Sequence, residues 1–369
     1  MAKEEKSNVF KYVIAIVLMP LSVVGLIAMT LSVLNVFINP QSFILTTIFG
    51  LAFWEIFFFN LFLLVLLSIL WSKWAWISVL AFLVAIPGLS RSFSVGISDK
   101  ADDSLRIMSY NVHKFHHVDG KTKNEDFANE VIKMVREKNP DILCCQEFMA
   151  FKEGVSRTQC IQDFADSIRF GYIYYNKKNN YGGNVVFSKF PVEKVSEDTG
   201  FGQENVYGIM VSVDAGEKGV FHVANVHLLS YRITDDEIEI LMNSSERQTA
   251  LDTLGRSLLH KIGYAFKSRC EELKEVLNGM PIVDGPVIVC GDFNEPPLSY
   301  NYRQMQKAGF VDTFIKAGFG IKPTYAGKLP LLRIDYIWAN DGVKPLDFER
   351  YRYKASDHYP IMLKFALKQ

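Results

Sequence analysis

Three apolar runs within the first ninety residues constrain this chain most. Residues 12–38 and 74–90 carry no charged side chain, and residues 43–71 carry only Glu55. A helix needs about 20 apolar residues to cross the hydrocarbon core, with about 17 as the lower limit. The first two runs exceed that limit and the third just meets it. We therefore predict two to three transmembrane helices, at about 12–38, 43–71 and 74–90, which form an anchor over residues 1–90.

The charges beside these runs bear on orientation. Three lysines precede the first run and Lys73 separates the second run from the third, a pattern typical of cytoplasmic segments. Arg91 and Lys100, after the third run, argue the other way. A cleaved signal peptide is a poor alternative because its apolar region is only about 7–15 residues long. We expect an integral membrane protein whose C-terminal domain lies on the non-cytoplasmic side.

Glu55 is the one ionisable residue inside an apolar run. A carboxylate in the hydrocarbon core is costly and often marks an ion or proton pathway. The alternative is a paired or interfacial carboxyl group without an activity of its own. We favour this second interpretation.

The remaining chain has the pattern of a water-exposed α/β domain. A Ser- and Asp-rich linker is expected at 91–103, and a catalytic domain at 104–369. Helical periodicity is present at 122–138 and 235–279, with weak interruptions at Gly255 and Gly263. Many short strands with a few helices between them predict two packed sheets with helices outside. The predicted strands are 105–112, 142–145, 172–175, 184–188, 206–213, 220–228, 287–290, 334–338 and 361–365.

Composition excludes some classes of protein. Residues 99–369 carry 35 basic and 37 acidic side chains, so no basic domain is present to hold nucleic acid by charge alone. The five cysteines are an odd number, which argues against a complete disulfide framework.

Unusual polar residues end successive predicted strands. A single Asp or His in such a place is usually a turn former or a structural residue. Six endings of this kind indicate instead that the strands meet at one rim, because turns do not require Glu or His. The endings are Asn111 with His113, Gln146 with Glu147, Asn225 with His227, Asp292 with Asn294, Asp335, and Asp357 with His358.

These residue types suit metal-assisted hydrolysis of a phosphate ester. Oxygen ligands from Glu147, Asp357 and Asn111 fit Mg²⁺ or Mn²⁺, whereas zinc would be expected to recruit more His or Cys. An imidazole paired with a carboxylate can transfer a proton or stabilise charge. Asp292 and Asn294, two residues apart on an extended turn, could face the same pocket.

The order of the motifs resembles the endonuclease/exonuclease/phosphatase superfamily, whose fold is that of deoxyribonuclease I. The resemblance covers about residues 104–367 and implies a four-layer α/β sandwich of two mixed sheets flanked by helices. The motifs are IMSYNVH at 107–113, DILCCQE at 141–147, NVHLL at 225–229, GDFNEPP at 291–297, RIDYIW at 333–338 and SDHYPI at 356–361.

The resemblance also implies a role for each residue at the rim. Glu147 would be the principal metal ligand, with Asn111 and Asp357 close by. His358 would be the catalytic imidazole, oriented by Asp335. Asp292 would activate water or transfer the proton on the leaving side. Asn294 would be its phosphate-binding partner, and His227 would contact the phosphate. Whether Asp292 or His358 is the base stays open.

Three functions are compatible with this sequence. The first is a membrane-anchored, metal-dependent phosphoesterase acting on a lipid headgroup or small phosphodiester, with the lipid bilayer as its partner. The second is an exported metal-dependent nuclease acting on DNA or RNA. The third is a catalytically inactive binding module, which the complete motif set makes the weakest of the three.

Overall fold

The structure is a computed structural model that describes residues 2–99, 103–117, 122–176, 183–195, 207–231, 247–327, 331–353 and 356–368. The chain forms two compact units. The first takes in the N-terminal helices up to Ser92 together with Pro296–Arg303. The second takes in Phe93–Glu295 and the chain from Gln304 onwards.

The first unit is helical. Its helices are α1 (Ala2–Leu34), α2 (Leu45–Leu51), α3 (Phe53–Ile69) and α4 (Ala75–Ser92). Lys11–Phe37 and Ala75–Ser92 are long and apolar enough to cross a membrane, with mean hydropathies of 2.5 and 1.5. Helices α2 and α3 make a third span only if the pair counts as one, because they are bent by 69° at their junction. Two to three helices of the described chain are therefore fit to span a membrane.

The bend changes the setting of Glu55. The second apolar run is not one straight helix, and Glu55 lies exposed in the first turn of α3, just after the break. The partial positive charge of a helix N-terminus favours a carboxylate at such a place.

The interior of this unit includes the segment Pro296–Arg303. Leu298 packs in its apolar core with Met29 and Phe53, and its carbonyl oxygen accepts a 2.6 Å hydrogen bond from Nδ2 of the buried Asn35. The guanidinium of Arg303 lies 4.3 Å from the ring centre of Phe37. The helical unit thus uses residues from two distant parts of the sequence.

The second unit contains two six-stranded sheets and a two-stranded ribbon. The first sheet has the order β13-β14-β2-β3-β5-β4, the second β10-β12-β9-β8-β7-β6, and the ribbon pairs β1 with β11. The strands are β1 (Ser94–Val95), β2 (Leu105–Asn111), β3 (Ile142–Gln146), β4 (Tyr172–Tyr175), β5 (Val185–Ser188), β6 (Val192–Lys194), β7 (Gly208–Asp214), β8 (Val220–His227), β9 (Val287–Asp292), β10 (Val311–Asp312), β11 (Phe319–Gly320), β12 (Asp335–Ala339), β13 (Val343–Arg350) and β14 (Ile361–Leu367).

Each large sheet has one parallel pair at its centre. β2 pairs with β3, and β8 pairs with β9; the other strand pairs are antiparallel. The carboxyl ends of a parallel pair meet at one edge of the sheet, where Asn111 pairs with Gln146 and His227 with Asp292. The register therefore brings the predicted strand endings together within each sheet.

The layers follow from alternation along the strands. In β2, Leu105 and Ile107 face the core between the two sheets, whereas Met108 and Tyr110 face the helices on the outside. The helices of this unit are α5 (Asn124–Lys138), α6 (Arg157–Ile168), α7 (Arg247–Gly279), α8 (Tyr300–Lys307), which begins in the first unit, and α9 (Thr313–Ala317). Two mixed sheets with flanking helices confirm the predicted fold class.

Some predicted details differ. The interruptions expected at Gly255 and Gly263 are wrong, since α7 runs through both glycines. The earlier part of that stretch, 235–246, lies outside the described residues. All five cysteines are free thiols, in line with their odd number.

Candidate active site

The two sheets are joined at their rim by the side chain of Asn111, which ends β2. Its Nδ2 donates to Oδ2 of Asp292 at 3.0 Å and lies 3.3 Å from Oε1 of Glu147. Glu147 follows β3 in the same sheet, and Asp292 ends β9 in the other. One amide therefore holds two carboxylates from different sheets close together.

His358 extends this contact chain. Its Nδ1 lies 2.9 Å from Oδ2 of Asp335, and its Nε2 lies 3.5 Å from Oδ2 of Asp292. Asp335 starts β12 directly opposite Asp292 in β9. A carboxylate can only accept here, so Nδ1 carries the proton. Burial lowers the pKa of His358, but the negative charges of Asp335, Asp292 and Asp357 outweigh it and hold that pKa well above its ordinary value.

Asp292 is the most enclosed carboxylate of this chain of contacts, with 1 % of its side chain exposed. Burial raises its pKa to about 6, although His358 pulls in the other direction. Its Oδ1 accepts from the backbone N–H of Asn294 at 2.9 Å, while Nδ2 of Asn294 donates to the Leu228 carbonyl oxygen at 3.0 Å. Asn294 thus fixes Asp292 and ties the β9 loop to the β8 loop.

Glu147 and His227 form the more open side of the site. Nε2 of His227 lies 3.5 Å from Oε1 of Glu147 and 3.8 Å from Oδ2 of Asp292. Burial would raise the pKa of Glu147, but the charges of His227 and Lys114 and the amide of Asn111 keep it below its ordinary value. With 18 % of its side chain exposed, Glu147 is accessible and acidic enough to bind a cation.

Asp357 lies beside these residues and is more exposed. Its Oδ1 is 3.6 Å from Nδ1 of His113, and the neighbouring Ser356 hydroxyl donates to the backbone carbonyl of Asn111 at 3.0 Å. The predicted residues Asn111, Glu147, His227, Asp292, Asn294, Asp335 and His358 are thus linked by contacts, and Asp357 joins them through the backbone of the β2 end.

The orientation of Asn111 bears on its predicted role as a ligand. Its Oδ1 accepts from the backbone N–H of His113 at 2.9 Å, so its NH₂ group faces the carboxylates. A ligand role requires the oxygen to face the cation. Rotation of this amide would provide that oxygen and would break the hydrogen bond to His113.

Strained backbone is concentrated at the rim. Among the described residues, nine other than glycine have a positive φ, and five of them are site residues or their neighbours. Such conformations cost about 1–3 kcal/mol each and cluster at functional sites. Three are consecutive and begin two residues after Asn111. The five are His113, Lys114, Phe115, Glu147 and Asn294.

Comparison with known families bears on the part of the chain that carries this site. A family model described as Endonuclease/Exonuclease/phosphatase family matches residues 108–358, more than half of the chain. The chain belongs to this family. Members of the endonuclease/exonuclease/phosphatase family are metal-dependent phosphoesterases and nucleases. A second model, Domain of unknown function (DUF8431), matches residues 14–92.

Individual relatives are distant. The chain is 26 % identical over 282 residues to Uncharacterized protein YbhP of Escherichia coli, covering 72 % of this chain and 97 % of that protein. Among solved structures, a family protein from Beutenbergia cavernae has 17 % identity and a TM-score of 0.48, with 72 % of each chain covered. The human Nocturnin catalytic domain with bound sulfate has 18 % identity and a TM-score of 0.48, covering 73 % of this chain and 96 % of that one. D. rerio TDP2 complexed with single strand DNA product has 16 % identity and a TM-score of 0.48, covering 72 % and 99 %.

The side chains present fit the divalent cation that family members use. Glu147 offers an accessible carboxylate, and its neighbours are carboxylate and amide groups of the kind that hard cations prefer. Asp292, Asp335 and His358 also place one possible ligand atom each within 4.8 Å of one another. In that group, however, Nδ1 of His358 is bonded to Asp335. Glu147 therefore offers the more accessible of these two groups of possible ligands.

A buried arginine that sequence reasoning missed holds the two loops of the second sheet. Arg269 on α7 donates from Nε to Oε1 of Glu295 at 3.0 Å and from Nη1 to the Leu229 carbonyl at 2.9 Å. Oε2 of Glu272, on the same helix, accepts from the Leu229 backbone N–H at 2.7 Å. Arg269 is fully buried, and the signal that could have found it is a charged residue on the apolar face of a helix.

A second polar link lies beneath the site. Nε2 of Gln146 donates to Oδ1 of Asn225 at 2.7 Å, and Nδ2 of Asn225 donates to the carbonyls of Cys145 and Val185. Both side chains are fully buried, and they connect β3 of one sheet to β8 of the other. They set the spacing of the two sheets rather than facing the site.

Proposed function

We propose that this protein is a membrane-anchored, divalent-metal-dependent phosphoesterase that hydrolyses a lipid headgroup or small phosphodiester. The anchor would be residues 1–90, joined by 91–103 to the catalytic part at 104–369. The observation that carries the proposal is the contact chain from Glu147 through Asn111 and Asp292 to His358. It brings an accessible carboxylate and a buried imidazole that lies between two carboxylates into one site.

Glu147 would hold Mg²⁺ or Mn²⁺, with Asn111 and Asp357 as further ligands. The cation, when bound, would act as a Lewis acid on a phosphoryl oxygen. As it stands, Asn111 bridges Glu147 and Asp292 through its NH₂ group; on metal binding, rotation of the amide would replace this bridge with an oxygen ligand. Family membership supports this use of a metal.

Asp292 and His358 would divide the proton chemistry. Asp292 would accept a proton from the attacking water or manage the proton of the leaving oxygen, since its carboxylate is enclosed next to the rim. His358, surrounded by carboxylates, favours its charged form. As an imidazolium oriented by Asp335, it would stabilise the negative charge that builds on the phosphoryl group. His227 and Asn294 would complete the phosphate contacts.

The membrane helices and the balance of charge favour a lipid or small substrate over a polymer. Residues 99–369 carry 35 basic and 37 acidic side chains, without the excess of positive charge that usually accompanies nucleic-acid binding. An anchor keeps a catalytic domain next to its substrate when that substrate is a lipid. We propose that the catalytic domain lies on the non-cytoplasmic side, in agreement with the lysines before the first span.

The test is a substrate panel with the full-length protein in lipid nanodiscs and Mg²⁺. The panel consists of bis-p-nitrophenyl phosphate, sphingomyelin, phosphoinositides, plasmid DNA and RNA. We expect turnover of a phospholipid together with the generic diester, abolished by EDTA. The His358→Ala protein, prepared in the same way, is the matched control for contaminating enzymes.

Two outcomes would contradict the proposal. Nicking of the plasmid without turnover of any lipid would identify a nuclease instead. Turnover of no substrate with Mg²⁺, Mn²⁺ or another divalent ion would support an inactive binding module.

A further inference from the structure

The segment directly after the last membrane helix has an inverted pattern of side chains. Phe93, Val95 and Ile97 are 42 %, 73 % and 86 % exposed, whereas Ser94 between them is 2 % exposed. A strand on a water-soluble surface buries its apolar side and exposes its polar side. Here the apolar side faces outwards.

The inward positions of this segment are fixed by the second unit. The Ser94 hydroxyl donates a 2.7 Å hydrogen bond to the Gly318 carbonyl oxygen. A Cβ at Gly96 would collide with that same carbonyl oxygen. These contacts leave only one orientation for the strand, so the exposure of Phe93, Val95 and Ile97 is a property of the folded domain.

The neighbouring strand adds a fourth apolar side chain to the same face. Val95 pairs directly with Phe319 in the β1–β11 ribbon, and residues directly opposite in an antiparallel pair point to the same side. Phe319 is 72 % exposed. We call Phe93, Val95, Ile97 and Phe319 the apolar ribbon patch.

Covalent connection determines where this patch must lie. Helix α4, which is apolar enough to cross a membrane, ends at Ser92, and Val95 is three residues further on. Three residues span at most about 11 Å. If α4 spans the bilayer, Val95 therefore lies within about 11 Å of the end of that span, at or beside the headgroup region, and Phe319 is its direct partner.

We propose that the apolar ribbon patch inserts into the bilayer interface and holds the catalytic domain against the lipid surface. This inference rests on the membrane anchoring in the proposed function, but not on the identity of the substrate. Lipid is the occupant because the patch is tethered to the end of a span. Aromatic and aliphatic side chains are stabilised at this depth because their apolar surface is removed from water.

Site-directed spin labelling of the full chain in phosphatidylcholine nanodiscs tests this directly. A nitroxide is placed at Phe319→Cys in a Cys270→Ser background, since Cys144, Cys145, Cys160 and Cys290 are buried. Val220→Cys is the matched control, an exposed apolar position on β8 of the same unit. Val24→Cys in α1 reports on the span itself.

The collision rates of the nitroxide with oxygen and with a water-soluble nickel complex show whether the label lies in lipid or in water. We expect the oxygen-to-nickel ratio at position 319 to exceed that at 220 several-fold and to approach that at 24. A high ratio at 24 with equal, low ratios at 319 and 220 would overturn the patch proposal and leave the anchor intact. A low ratio at 24 as well would overturn both.

Discussion

Nε2 of His358 lies 3.5 Å from Oδ2 of Asp292, while Nδ1 of the same ring is bonded to Asp335. The ring is thus held by one carboxylate and directed towards another. If His358 stabilises charge on the phosphoryl group, His358→Ala should lower kcat about 10²-fold or more. Turnover of the best substrate from the panel measures this.

Asp335 is expected to act through His358, and a double-mutant cycle tests that relationship. Asp335→Asn alone should also reduce kcat, because the ring would lose the carboxylate that orients it and favours its charged form. The double variant should be no slower than His358→Ala, since residues that act as a unit are not additive. Additive losses would mean that Asp335 has a separate role.

Glu147 is predicted to bind the cation, so its removal should change the dependence on metal. Glu147→Gln keeps the shape of the side chain and removes its charge. We expect kcat to fall about 10²-fold and the Mg²⁺ concentration for half-maximal activity to rise, because carboxylates dominate the binding of this ion. Glu153→Gln, at an exposed position outside the site, is the control. An unchanged Mg²⁺ titration for Glu147→Gln would exclude this ligand.

The motif residues and the central strands could be predicted because local sequence determines them. Buried strands such as β3 and β9 are short apolar runs, and the polar residues after them are visible without knowledge of the pairing. Parallel pairing then brings those residues to one edge. The direction of the Asn111 amide could not be predicted, because it depends on the backbone turn at His113.

Other elements were missed because their sequence signals conflict. β13 contains Pro345 and a bulge beside it, which are tolerated because β13 is an edge strand. Neither Gly255 nor Gly263 interrupts α7, since tertiary packing of its buried face outweighs a cost of about 1 kcal/mol per glycine. The break between α2 and α3 is at Ala52, where the surrounding residues of the second run are apolar and hydropathy alone gives no boundary.

Arg269 is predicted to stabilise the fold and to position the loops that carry the site, without contacting the substrate. Arg269→Met should leave the Glu295 carboxylate buried without its cation and destabilise the fold by about 3–5 kcal/mol. Adding Glu295→Leu should restore much of the thermal stability in detergent, because an apolar pair has no charge to compensate. Lys274→Met, on the exposed side of the same helix, is the control and should change little. Equal stability of Arg269→Met and the control would rule out a stabilising role for the Arg269–Glu295 ion pair.

The side of the membrane on which the catalytic domain lies depends on whether the bent pair α2–α3 crosses the bilayer. If the bent pair crosses the bilayer, three spans place the C-terminus opposite the N-terminus; if it re-enters, two spans place both on one side. We predict three. Alkaline phosphatase fused after Gln369 should then be active in a bacterial host, and green fluorescent protein at the same position should be dark. The reverse pattern would show a cytoplasmic catalytic domain.

Gly291 tests whether the close approach of β8 and β9 is required to position Asp292. Gly291 has a φ of +141°, and a Cβ there would overlap the carbonyl oxygen of Val226, its partner in the parallel register. Because the Val226 carbonyl and the Gly291 Cα, which would carry the Cβ, both belong to paired strands in the centre of a sheet, neither can move without breaking the pairing. Gly291→Ala should therefore strongly reduce the yield of folded protein and the thermal stability of what remains. Gly171→Ala is the matched control, since no atom lies within 4 Å of its Cβ position, and should be close to neutral. Normal stability for Gly291→Ala would mean that β9 can separate from β8 beside Asp292, and the fixed position of that carboxylate would then need another cause.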